Sequence, residues 1–164
     1  MDFVYNDGGR SKYFKAERVG DCVTRAIAIA TGKDYKEVYD DINRLSKASK
    51  SKLRSSARNG VYKLIYRKYL SAIGWEWHST CAVGRGVTMH LRDGEIPNGT
   101  LILRLAHHLV CVKDGVIHDT WDCSQENVYV NDDGSTRANP PAVYGYWTRD
   151  KKCGIVLSER RRGL

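Results

Sequence analysis

The spacing of apolar residues changes partway along the chain, at Gly74. Before that glycine the apolar positions recur at helical intervals. The run Cys22-Val23-Thr24-Arg25-Ala26-Ile27-Ala28-Ile29-Ala30-Thr31 predicts a helix over about 21–31, with Gly32 as its C-terminal stop. Tyr35, Val38, Tyr39, Ile42 and Leu45 form a second stripe, with Asp34 as N-cap and Glu37 at the spacing of a capping box. Val61, Ile65, Tyr69, Ala72 and Ile73 form a third stripe, which Gly74 closes. After Gly74 the period falls to two. Trp75-Glu76-Trp77-His78 alternates, and so do parts of Thr100–Leu105 behind the turn Pro97-Asn98-Gly99. A hairpin over 108–121 follows, then strands at 127–130 and 143–148. Asp132-Asp133-Gly134-Ser135 and Asn139-Pro140-Pro141 separate them as loops. Residues 1–20 read as irregular, with Asp7-Gly8-Gly9 as a turn. Helices first and strands after predict an α+β fold, a small helical layer packed on one antiparallel sheet.

Composition bounds this picture. The 164 residues suffice for one domain with a core of its own. We assign 1–164 to that single domain: a helical part over about 20–74, a sheet part over about 75–157 and a basic tail at 158–164. No apolar run approaches the ~20 residues of a membrane span. The segment from Met1 to Asn6 lacks the features of a signal peptide. No membrane partner and a cytoplasmic location (host cytoplasm for a phage-encoded protein) are therefore expected. Five cysteines, an odd number with no CxxC spacing, read as free thiols rather than a disulfide framework.

The net charge of +8 is partly local. Residues 44–58 carry six basic side chains and no acid, and Arg160-Arg161-Arg162 adds to the excess. Such runs attract nucleic acid or an acidic protein surface, or simply keep a solvated segment soluble. The run lacks the interleaved aromatics that stack on single-stranded bases, which favours the solvated reading.

Candidate chemistry lies at the head of the first helix and on the 108–121 hairpin. Cys22 opens its helix, where free backbone N–H groups and the macrodipole favour a thiolate. Asp114-Gly115 is a strong two-residue hairpin turn of type I′. It pairs Lys113 with Val116, and by extension Val110 with Asp119 and His108 with Trp121. His108, Val110, Val112, Ile117, Asp119 and Trp121 then share one face; His107, Leu109, Cys111 and His118 share the other. Asp119 becomes the diagonal neighbour of His108, and Trp121 shields the pair from water. A cysteine nucleophile, a histidine base and an orienting acid form a Cys–His–Asp triad, here Cys22, His108 and Asp119. His107 competes with His108 if the register differs by one, and Asp122 is the reserve acid.

These segments, with Tyr69–Trp75 and Gly99–Asp122, resemble the papain-like cysteine peptidase superfamily, closest to small phage and bacterial members of the C39 type. The resemblance covers roughly half the chain. It implies a papain-like α+β fold, with Cys22 as nucleophile, His108 as base and Asp119 as orienting acid. The chain departs from that family in lacking the Gln that usually precedes the cysteine; the only Gln is Gln125. One oxyanion donor is the Cys22 N–H, and the second is left to Asn6 or another N–H.

Two function classes follow. One is a hydrolase or acyl transferase on a protein or peptide substrate, with peptidase, isopeptidase, deamidase and transglutaminase chemistry all open. The other is a catalytically silent basic module of phage origin that docks on a host protein or nucleic acid, the latter through 44–58. Cys111 and Cys123 read as packing residues, and Trp75 and Trp77 as core or groove wall. His78/Cys81 and His108/Cys111 have zinc-like spacing, but alternation along a strand turns the second pair apart. No Walker loop, GxGxxG or HExxH motif is present. We expect no cofactor and no metal; the pattern is silent on oligomeric state.

Overall fold

The computed structural model of the protein describes residues 1–15, 19–49, 55–125 and 127–149. Three helices, α1 (Cys22–Thr31), α2 (Tyr35–Ala48) and α3 (Lys63–Ala72), precede most of the strands. The fold is α+β, as the change of period predicts. The helix limits follow local chemistry. Gly32 ends α1 in a left-handed conformation (φ 71°), its N–H bonding Ala28 O at 2.9 Å. Asp34 caps α2 by accepting from the Lys36 N–H at 2.9 Å. Glu37 does not complete a capping box; its carboxylate pairs with Lys33 instead.

The main sheet has six strands in the order β1-β7-β6-β5-β10-β2. Its members are β1 (Asp2–Tyr5), β2 (Glu76–Ser79), β5 (Thr100–Leu105), β6 (His108–Lys113), β7 (Val116–Asp119) and β10 (Gly145–Thr148). Two small ladders stand apart: β3 (Cys81–Ala82) with β4 (Gly86–Val87), and β8 (Asn127–Val130) with β9 (Thr136–Asn139).

Two expectations need correction. The sheet is mixed, because β1 runs parallel to β7, whereas residues 1–20 read as irregular. Phe3, Val4 and Tyr5 are at least partly exposed, so β1 carries no burial pattern to detect. What holds it is the ladder to β7, extended by Asn6 N–H to Asp119 O at 2.8 Å. The second departure is β9, which the sequence reading left as loop beside Asn139.

The β6–β7 register is the expected one: Lys113 pairs with Val116, Val112 with Ile117 and Cys111 with His118. Asp114 (φ 47°) and Gly115 (φ 81°) both occupy the positive-φ region that a type I′ turn requires.

The two faces of the sheet carry different cores. Ile27, Val38, Ile42, Tyr66 and Leu70 from the helices pack on Ile102, Leu109 and Trp147. Trp75 is buried in this core and Trp77 borders it, against Trp147. On the opposite face Leu101, Leu103, Val110, Val112 and Ile117 are closed by Leu91, Cys123 and Val143 from connecting segments. Among the described residues, no helix is long and apolar enough to cross a membrane. Lys50 to Arg54 of the basic run, Cys153 and the 158–164 tail lie outside the described residues.

Candidate active site

Helix α1 lies across β5, β6 and β7, which brings its N-terminus to the start of β6. Cys22 is the first residue of α1 and His108 the first of β6. His108 follows the two-residue loop Ala106-His107, in which His107 takes φ 55°. Asp119 ends β7. The three meet: His108 Nε2 lies 2.6 Å from Asp119 Oδ2, and Cys22 lines the same cleft as His108 and Leu109, near enough for both to lower the pKa of its thiol.

Of the competitors, His107 is exposed in the loop and lines the same cleft as His108, while Asp122 accepts from the Ser124 N–H (2.9 Å) and hydroxyl (2.6 Å). The Trp121 ring stands 5.3 Å from that of His108, as the register expects, but is 53% exposed and covers only one side. Asn6 Oδ1 accepts from the Gly8 N–H at 2.9 Å, and Asn6 is not among the described residues that line the cleft. Asn59 does line it, and its backbone packs so tightly on Gly20 that a Cβ there would lie 3.3 Å from the Asn59 carbonyl carbon.

Charge within the site follows from these contacts. Burial pushes the Cys22 thiol up, but the His108 and Leu109 hydrogen bonds and the nearby positive charge of His108 and Arg25 outweigh it. The thiol therefore lies below its ordinary pKa. Burial pulls His108 down, but hydrogen bonds with Asp119, Cys123 and Cys22 and the Asp119 charge carry it well above its ordinary value. Asp119, which burial alone would raise, is held below the usual carboxylate range by the His108 hydrogen bond and charge, by Arg25 and by the Thr120 N–H. The arrangement favours a thiolate–imidazolium pair. Cys111, by contrast, is pushed up to about 12 by burial.

Behind the three residues stands a buried ionic ladder that the sequence reading missed. Arg25 bonds Asp119 Oδ1 at 2.9 Å and pairs on its other side with Asp21. Asp21 has no exposed surface and also takes Arg10 (3.3 Å) and the Tyr35 hydroxyl (2.7 Å). The available signal was a single arginine inside the apolar run of α1, four residues after an aspartate. Cys123 packs in the second core, as expected of it. Its sulfur, a His108 ring nitrogen and an Asp119 oxygen lie within 4.8 Å of one another, a donor set able to hold a metal ion. Of the two pairs with zinc-like spacing, Cys81 is exposed on β3 and Cys111 is buried on β6.

Cys22 and His108 open onto a cleft of about 650 Å³, walled by Tyr62, Tyr66, Arg104 and Tyr144. No family model, no curated protein and no solved structure matches this chain.

Proposed function

We propose that the protein is a cysteine hydrolase or acyl transferase of the papain-like kind, acting on an amide, isopeptide or thioester bond. One observation carries this reading: His108 lies 2.6 Å from the buried Asp119 and shares a cleft with Cys22, the first residue of α1. Asp119 holds Nε2, which leaves Nδ1 for the sulfur. The Cys22 thiolate attacks the carbonyl carbon and forms the C–S bond. The oxyanion meets the Cys22 N–H at the helix N-terminus. Collapse breaks the bond to the leaving group, which takes the proton from the imidazolium. Water, or an amine in a transferase, then gives its proton to His108 and attacks the thioester, and the thiolate–imidazolium pair re-forms.

Alkylation with iodoacetamide over pH 5–9, with mapping of the modified cysteines, tests the proposal. Cys22 reacts selectively below pH 7, and His108→Ala abolishes that selectivity. Uniformly slow labelling, or labelling indifferent to His108, overturns the proposal and turns the reading to the basic binding module.

A further inference from the structure

The cleft beside Cys22 has a one-sided charge. Of its described lining residues, Lys63 and Arg104 add positive charge to that of His108, and none is an aspartate or glutamate. Arg67 joins Lys63 and Arg104 around an adjoining recess walled by Tyr66, Trp77 and Trp147. Among the described residues, none of these three cations belongs to an ion pair. The contrast with the opposite side of the site is sharp, since there Arg10 and Arg25 are both matched by Asp21 and Asp119.

Arg104 is held in place without a carboxylate. Its guanidinium lies 5.4 Å from the Tyr144 ring centroid, and Tyr66 lines the cleft with it. It sits on β5 opposite Leu109, the residue next to His108. The cations repel one another: Arg104, with burial and Arg67 adding to it, pushes the Lys63 ammonium below its ordinary pKa. Like charges kept together at the mouth of a cleft, with no carboxylate partner among the described residues, are stabilised when an anion enters. A half-buried arginine with a fixed plane suits a carboxylate in particular.

We propose that Arg104 and Lys63 form an anion subsite of the cleft, which binds a carboxylate of the acyl substrate next to the bond that Cys22 attacks. This rests on the cysteine-hydrolase reading, and it narrows the substrate to peptides with an acidic side chain, or a free C-terminus, beside the reacting carbonyl.

Alkylation of Cys22 by matched anionic and neutral reagents tests the subsite separately from the nucleophile. Iodoacetamide reports on the thiolate alone. Iodoacetate adds a carboxylate, and the iodoacetate-to-iodoacetamide rate ratio is the readout. The His108 imidazolium contributes equally in the wild type and the variants, so the change in ratio isolates the subsite. Arg104→Gln and Lys63→Gln are each expected to lower the ratio about fivefold at low salt, with the effect shrinking as salt rises. Lys63 is exposed, so Lys63→Gln carries the test even if Arg104→Gln fails to fold. An unchanged ratio in Lys63→Gln and in any folded Arg104→Gln overturns the subsite while leaving the nucleophile intact. Absence of selective iodoacetamide labelling in the wild type instead overturns the function on which it rests. Two further pairs identify the source of the carboxylate: bromoacetyl-aspartyl amide against bromoacetyl-asparaginyl amide, and bromoacetyl-glycyl-glycine against its amide. Faster labelling by the acid in the first pair assigns the subsite to an acidic side chain, and in the second to a C-terminus. Equal rates within both pairs overturn the proposal.

Discussion

Arg25 is where stability and the proposed chemistry share a side chain. It stands between Asp21 and Asp119, both buried, and its charge also lowers the Cys22 thiol. Arg25→Met keeps the apolar stem and removes the cation, so two buried carboxylates lose part of their compensation. A loss on the order of 3 kcal/mol is expected, read from urea unfolding. The same variant is expected to slow Cys22 alkylation at pH 7, because the thiol rises towards its ordinary value. A variant destabilised by this amount yet alkylated at the wild-type rate would separate Arg25 from the site. The His108–Asp119 pair was legible in the sequence because a two-residue turn sets register, and register sets diagonal neighbours. Arg25 was not, since its two partners lie 4 and 94 residues away. One arginine on an otherwise apolar helix reads as solvent-facing until the sheet arrives to cover it.

Strand β10 is central to the sheet, between β5 and β2, and one glycine permits its pairing. A Cβ at Gly145 would lie 2.3 Å from Trp77 Cζ2 and 2.6 Å from His78 O, at φ 152°. Neither the indole nor the backbone of β2 can yield by that distance. Gly145→Ala is therefore expected to open the β10–β2 ladder and lower the thermal midpoint by several degrees. The near-ultraviolet circular dichroism of the Trp77–Trp147 contact is the measurement that checks it. The elements with strong periodic patterns, α1 to α3 and the β6–β7 hairpin, were legible from local spacing. β1 and β9 were not, because four residues are too few to establish a period, and β1 has no buried face. Their strand character comes from the partner, Val116–Asp119 for β1 and Asn127–Val130 for β9.

Across the whole molecule, the Cys22–His108–Asp119 cluster ties stability to pH. Asp119 has a lowered pKa in the folded state, so its contribution is present above the unfolded value of about 3.9 and is lost as pH falls through the folded one. His108 has a raised pKa, so its contribution is full below about 6.5 and is lost as pH rises through the folded value. The two overlap between about pH 4 and 6.5. Urea midpoints across pH are expected to show the largest gap between wild type and Asp119→Asn in that window, narrowing on the acid side. A gap that does not vary with pH would mean that Asp119 contributes packing alone. By itself the sequence determined the α+β class, the helices, the hairpin register and hence the His108–Asp119 pair, since each rests on spacing within a few residues. Only the tertiary structure decided that β1 joins the sheet in parallel, that α1 sets Cys22 against His108, and that Arg25 bridges two buried aspartates. It also decided that Arg104 and Lys63 share a cleft with no carboxylate among its described lining residues. These features depend on which distant segments come to lie side by side, and long-range packing leaves no period in the chain to read.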